Sequence, residues 1–270
     1  MARHLQEAGH QIVVYNRTRA RADEIVAQGA RWADTPADVA RAADIIITIV
    51  GYPRDVEELY FGSDGLIANA RAGTLLIDMT TSTPGLAQRI AQAARERQLD
   101  ALDAPVSGGD IGAREARLTI MVGGSSHAFE QAKPIFQVLG KNINRMGEAG
   151  AGQHTKMCNQ IAIAAGMLGV CEALAYAKGA GVDQSSMIET ISTGAAASWS
   201  LSNYGPRIIA GDFAPGFYVK HFIKDMEIAL QSADEMGLEA PGLQLALEMY
   251  RTLAARGGAD LGTQALYTLY

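Results

Sequence analysis

The chain has 270 residues, 48% hydrophobic and 19% charged, enough to bury a full core and more naturally filling two domains than one. Its formal net charge of −6 argues against a nucleic-acid or anionic-membrane surface, and no uninterrupted apolar run reaches the ~18 residues of a membrane span. The opening residues Met1-Ala2-Arg3-His4-Leu5-Gln6-Glu7 lack the apolar centre of a signal peptide.

The first half alternates short apolar runs with helical patterns. Residues 11–15 read as a strand, followed by a helix over 19–28 that closes at Gly29. Residues 44–50 and 74–78 are continuous apolar runs, expected of parallel strands covered on both faces. A helix over 84–97 opens at Pro84, a favourable first-turn residue. Further strands are expected at 101–104, 118–122 and 142–146, and the helix between the last two opens at the cap-like Ser126. Such alternation predicts a doubly wound α/β domain.

After Gly147 the pattern changes. Residues 153–178 are alanine-rich and free of proline, which predicts one helix of about seven turns closed by Gly179. Asp183 can cap the next helix, and residues 220–236 and 241–255 read as two more. The chain is therefore expected to hold an α/β domain over 1–149 and an all-helical domain over 150–270. From Asn159 to Ala177 the only charge is Glu172, so this helix needs neighbours on most sides. It is expected to act as an interdomain spine and as a subunit contact in a homodimer or homotetramer. Cys158 and Cys171 lie in this helix at a separation of roughly 20 Å, too far for a disulfide. Both read as small buried apolar residues in a reducing, cytoplasmic setting.

Four segments carry candidate chemistry. The first strand candidate is followed by Asn16-Arg17-Thr18, at the position where an acid would meet the ribose of NAD and an arginine would take a 2′-phosphate. The strand-end segments Gly51-Tyr52-Pro53 and Asp78-Met79-Thr80-Thr81 lie where ligands of open α/β sheets bind. Thr80 and Thr81 could contact a nicotinamide or its ribose, but capping the helix near Pro84 is their simpler use. In Asp103-Ala104-Pro105-Val106-Ser107-Gly108-Gly109, an apolar strand ends in a serine and two glycines, a composition suited to an anion cradle or to a plain turn. The sharpest feature is Gly150-Ala151-Gly152-Gln153-His154-Thr155-Lys156-Met157-Cys158-Asn159-Gln160, a glycine-rich entry with one lysine in the first turns of the long helix. Lys156, Asn159 and Gln160 share a helix face. Burial and the helix dipole both lower a lysine pKa, the condition for general acid/base work, although a solvated surface lysine fits the spacing equally well. Lys224-Asp225 reads as a helical surface pair. His4, His10, His127, His154 and His221 show no metal-ligand spacing, so no metal is expected.

Taken in order, A-P-V-S-G-G, M-V-G-G at 121–124, G-x-G-x-x-x-K-M-C-N-Q and the Lys224-Asp225 pair resemble the β-hydroxyacid dehydrogenase family over essentially the whole chain. The resemblance implies a Rossmann-type NADP-binding domain followed by a helical domain for substrate binding and dimerisation. It also implies hydride transfer between NADP(H), with NAD possible, and a small β-hydroxyacid or its semialdehyde. Lys156 then matches the general acid/base, Ser107, Gly108 and Gly109 the substrate-carboxylate segment, and Asn159 a substrate-contacting amide. Asn16, Arg17, Thr18, Pro53, Thr81 and Lys224 match the cofactor contacts. The family opens with a strand and a G-x-G-x-x-G turn that do not occur in this sequence, where residues 1–8 read as the remainder of the first helix. Met1 is accordingly expected to be an internal methionine, preceded in the natural protein by about fifteen residues of strand and glycine turn. A non-catalytic dimeric binding protein on the same scaffold is the alternative. An imine-reducing relative is a second one, and the presence of Lys156 argues against it.

Overall fold

The computed structural model describes residues 1–270, and the chain forms two compact units, Met1–Lys156 and Met157–Tyr270. The first is α/β. It opens with α1 (Ala2–Glu7), which has no side-chain cap at Met1 and ends before Gly9. β1 (Val13–Val14) follows, then a 3-10 turn (Arg19–Ala22) leading into α2 (Asp23–Ala27), β2 (Arg31–Trp32) and α3 (Pro36–Ala42). β1 and β2 pair in parallel as a sheet of their own, Val13 opposite Arg31 and Val14 opposite Trp32.

The larger sheet is built from β3 (Ile45–Thr48), β4 (Leu75–Asp78), β5 (Asp100–Asp103), β6 (Val106–Ser107), β7 (Leu118–Gly123) and β8 (Gly140–Gly147). Its order is β3-β4-β5-β7-β6, with β8 on β7. β3, β4 and β5 are parallel and in register, so that Ile47, Ile77 and Leu102 align and Asp78 lies beside Asp103. The sheet is mixed: the parallel strands of the expected doubly wound domain are joined by an antiparallel β7. Between β6 and β7 the chain has only the short α7 (Gly109–Arg114), too little for a parallel crossover, so β7 runs antiparallel to β5 and β6.

Strand composition accounts for the two covered faces. β4 is buried along its whole length. Leu76 packs with Ile46, Val56, Tyr60 and Ile90 on one face, whereas Leu75 and Ile77 pack with Leu102, Ile120 and Phe136 on the other. Helices α4 (Pro53–Phe61), α5 (Leu66–Asn69), α6 (Pro84–Glu96) and α8 (Ser126–Leu139) supply those layers. Two capping assignments change. Thr83, not Thr80 or Thr81, caps α6 by accepting from Leu86 N, and Ser125 caps α8 in place of Ser126.

The long helix α9 (Ala151–Gly179) begins in the first unit and continues into the second. By length and composition it could cross a membrane, a test that the core helix of a globular protein also passes. In the second unit its Met167, Cys171 and Leu174 join Phe222 and Met226 of α12 (Val219–Glu235) and Leu247 and Tyr250 of α13 (Pro241–Ala255) in one core. Phe222 and Tyr250 meet edge to face at 5.1 Å. α10 (Gln184–Ile191), capped by Asp183 as expected, and α11 (Trp199–Ile209) complete the unit. Cys171 is buried, its thiol pushed up to about 12 by desolvation, but Cys158 is exposed, contrary to its reading as a core residue.

A buried polar chain ties the carboxyl ends of β3 and β4 together. Asp78 Oδ1 accepts from the Thr48 hydroxyl at 2.8 Å and from Thr80 N at 3.1 Å. The Thr48 oxygen also lies 2.9 Å from the Tyr60 hydroxyl, and Thr80 Oγ1 accepts from Val50 N at 2.9 Å. Burial moves the Asp78 carboxyl from its ordinary 3.8 up to about 6, against the opposing pull of the threonine hydrogen bonds. Because the folded-state value lies above the unfolded one, this group's contribution to stability is present at low pH and lost as pH rises towards and through about 6. At neutral pH the ionised form costs about 3 kcal/mol. Asp78→Asn keeps an acceptor for Thr48 without the charge. Its stability relative to the parent should therefore improve between pH 4 and pH 8 by up to about 3 kcal/mol. Urea melts at the two pH values measure this, and a difference that does not change with pH would disprove it.

Candidate functional site

In the first unit, Asp103 at the end of β5 organises the residues around Lys156. Its Oδ1 accepts from Gly150 N at 2.8 Å and its Oδ2 from Gln153 N at 2.9 Å, so one buried carboxylate caps the entry of α9. Desolvation raises its carboxyl above the usual range, and those backbone N–H groups work in the opposite direction. Gln153, fully buried, extends the attachment to the end of β4. It accepts from Ser82 N at 3.0 Å and donates to Thr80 O at 2.8 Å. Helix entry and strand ends are thus one hydrogen-bonded block. A Cβ at Gly152 would stand 2.4 Å from Met121 O, which is why glycine is needed where the helix meets the sheet.

That block fixes Lys156, which is 7% exposed and donates from Nζ to Val106 O at 2.8 Å. The surface alternative for this lysine is therefore set aside. Val106 begins the segment Val106-Ser107-Gly108-Gly109, so the structure places the lysine against the Ser-Gly-Gly turn. Gly108 and Gly109 have φ of +128° and +64°, backbone that L side chains rarely adopt. Ser107 is held in register opposite Thr119.

The nucleotide-side candidates of this unit sit at strand ends. Asn16 Oδ1 accepts from Thr18 N at 2.9 Å, closing a tight turn after β1. Arg17 is 74% exposed in its side chain and lies 3.0 Å from Asp55. No acid follows β1 in sequence, yet α4 brings one to the arginine. Pro53 opens α4, and Asp55 also accepts from Tyr52 N at 3.1 Å. Thr81 is half-buried in the turn after β4, and the neighbouring Ser82 hydroxyl is buried without a hydrogen-bond partner. A separate open groove of about 710 Å³, lined by Arg31, Trp32, Asp38, Arg41 and Arg71, contains none of these residues.

In the second unit Asn159 and Lys224 belong to one cluster. Lys224 and Asp225 have side chains only 11% and 1% exposed, with Lys224 Nζ 2.9 Å from Asp225 Oδ1. The surface reading of this pair is therefore corrected. α12 turns that face against α9, where Gln160 donates to Asp225 Oδ2 at 2.7 Å and Asn159 donates to Gln160 Oε1 at 2.7 Å. The structural roles of Asp78, Asp103, Gln153, Gln160 and Asp225 went unread in the sequence. For Asp78 and Asp103 a signal existed: each ends an apolar strand, where an acid must be hydrogen-bonded if the strand is covered on both faces.

Comparison with known proteins places the chain in a family. Residues 1–147 match the model for the NAD-binding domain of 6-phosphogluconate dehydrogenase. Residues 150–270 match the model for the NAD-binding region of NADP-dependent 3-hydroxyisobutyrate dehydrogenase. The chain is 59% identical over 270 residues to the uncharacterized oxidoreductase YkwC of Bacillus subtilis, covering all of this chain and 94% of that protein. It is 41% identical over 266 residues to 2-hydroxy-3-oxopropionate reductase of Escherichia coli, covering 98% and 91%. Its fold superposes on 3-hydroxyisobutyrate dehydrogenase of Mycobacterium tuberculosis with a TM-score of 0.91 at 29% identity, over 99% of this chain and 93% of the other. The Rossmann-type domain, the helical domain after it and these relatives agree: the chain belongs to the β-hydroxyacid dehydrogenase family, the NAD(P)-dependent hydroxyacid dehydrogenases.

Proposed function

We propose that the protein transfers hydride between NADP(H) and a small β-hydroxyacid or its semialdehyde, with Lys156 as general acid/base. The observation that carries this reading is a lysine 7% exposed, with Nζ 2.8 Å from the carbonyl that precedes Ser107-Gly108-Gly109. An amine that can carry a proton, beside a turn rich in backbone N–H groups, suits a substrate with a carboxylate next to the oxygen being protonated or deprotonated. The Ser107 hydroxyl and the Gly108 and Gly109 amides hold the carboxylate. Lys156 takes the hydroxyl proton in oxidation and returns it to the carbonyl oxygen in reduction. Asn159, one turn further along α9, is a second contact to the substrate. The named relatives support the substrate class, since one is a 2-hydroxy-3-oxopropionate reductase and the other was solved with L-serine, a hydroxylated carboxylate.

The strand ends fit the nucleotide. Asn16, Arg17 and Thr18 follow β1 with no acid among them, Pro53 and Thr81 follow the next parallel strands, and the buried Ser82 hydroxyl has a hydrogen bond still to make. We assign Lys224 a cofactor contact on the family resemblance alone. When bound, the nicotinamide supplies or accepts the hydride. Arg17 gives the preference for NADP(H): its side chain is 74% exposed, and Asp55 keeps a hydrogen bond from Tyr52 N when the guanidinium turns to a 2′-phosphate.

Three outcomes are expected. Lys156→Ala should lower kcat by about 10² or more while cofactor affinity stays nearly unchanged, and a variant with near-parental turnover removes Lys156 from the mechanism. Arg17→Ala should weaken NADPH binding roughly 10- to 150-fold with a much smaller effect on NADH, measured by fluorescence titration; equal losses would rule the assignment out. The third concerns assembly. Cys158, Ala162, Ala165, Gly166, Gly169 and Tyr176 form an exposed stripe along α9 whose one charge is Glu172, and we assign it to the contact of a homodimer or homotetramer. Sedimentation equilibrium should then show a multiple of 28.6 kDa at micromolar concentration, and a stable monomer contradicts the assignment.

A further inference from the structure

The second unit contains a chain of polar groups whose direction is set at one end. Asp225 is 1% exposed and Gln160 2%. A carboxylate oxygen only accepts hydrogen bonds, so the Gln160 group 2.7 Å from Asp225 Oδ2 must be its Nε2 amine. Turning the Gln160 amide over would set two acceptor oxygens against each other in a site closed to water, where an unmet acceptor is expensive. With Nε2 committed, Gln160 presents Oε1 to its neighbour, and the Asn159 group 2.7 Å from it must be the Nδ2 amine. The Asn159 carbonyl oxygen is thereby left pointing away from the chain. Lys224 Nζ, 2.9 Å from Asp225 Oδ1, keeps the carboxylate a charged partner at the other end.

We propose that Asp225 is a positioning residue: through Gln160 it fixes the polarity of the Asn159 amide, so that Asn159 meets the substrate carbonyl-oxygen outward and accepts a hydrogen bond from a ligand hydroxyl. The inference rests on the reading of Asn159 as a substrate contact and adds to it which atom does the contacting. It also gives the Lys224-Asp225 pair a use beyond any cofactor contact. A ligand that offers only acceptors at this point is disfavoured, and a hydroxylated acid is favoured.

Two variants test it. Gln160→Leu interrupts the chain and leaves the Lys224–Asp225 pair intact. Lys224→Met/Asp225→Asn removes both charges and leaves Gln160 free to take either orientation, without stranding a buried ammonium. Each should raise KM for the hydroxyacid by about tenfold or more, with a smaller change in kcat. Measured with the nicotinamide cofactor saturating, so that any cofactor contact of Lys224 drops out, combining Gln160→Leu with the double variant should raise that KM no further, because all three substitutions interrupt one path. Additive losses would overturn the relay. A readout independent of turnover comes from the Asn159 side-chain amide signals in the NMR spectrum, assigned by their loss in Asn159→Asp. They should shift or split in Lys224→Met/Asp225→Asn, although Asn159 reaches Asp225 only through Gln160. Signals that stay in place would refute the relay whether or not the protein oxidises hydroxyacids. Signals that move in a protein inactive on every hydroxyacid would uphold the amide polarity and refute only the substrate reading.

Discussion

The carboxylate of Asp103 is the interaction on which the candidate catalytic geometry depends. A helix entering a sheet brings backbone N–H groups with no partners of their own, and burying them unpaired costs about 1–3 kcal/mol each. Asp103 meets two of them, at Gly150 and Gln153, from a strand held between the parallel β4 and the antiparallel β7. The positive end of the helix dipole is matched to a negative charge, and this helps a buried carboxylate to remain tolerable where desolvation opposes it. The close approach leaves no room for side chains: a Cβ at Gly123 or Gly152 would lie 2.4 or 2.8 Å from a carboxylate oxygen of Asp103. Lys156 is the next buried polar residue along the helix after Gln153, so its place beside Val106 follows from this attachment.

Much of this is legible in the sequence. Periodicity and capping located most helices of the second unit because that signal is local: the helix read over 241–255 is Pro241–Ala255, and Asp183 caps where it was expected to. The long apolar runs gave β3 and β4, whose residues alternate between two buried clusters. The antiparallel β6–β7 hairpin was not legible, because Val106-Ser107 is only two residues long and its pairing is decided by tertiary context. β2 was missed for the same reason, and α11 because Pro206 interrupts its pattern.

The candidate site divides along similar lines. Glycines in Ser107-Gly108-Gly109 announce their positive φ through residue type, and Lys156 is conspicuous in a helix whose other charges, Glu172 and Lys178, lie near its far end. Pairings across the chain leave no such mark. Nothing near Arg17 in sequence discloses Asp55, 38 positions away, nor does helical spacing show that Lys224 and Asp225 face inward. An adjacent acid and base on a helix are ordinarily solvated. Burial reverses that expectation, and burial is a property of the partner helix.

This last point bears on why the second unit keeps two opposite charges in its interior. A buried ion pair is poor evidence for stability: desolvation takes back most of the Coulombic gain, and apolar replacements of equal volume are often neutral or stabilising. Lys224–Asp225 adjoins a core of Phe222, Met226 and Ala229, where apolar residues would pack readily. A charged pair held at that cost is more reasonably tied to what charges do and apolar groups do not, namely orient dipoles. Gln160 and Asn159 are the dipoles within reach. An amide without a charged neighbour can turn over at little cost and offer a ligand either end. Next to a carboxylate it offers one, so a residue that need not touch the substrate can still determine which functional group the substrate must bring.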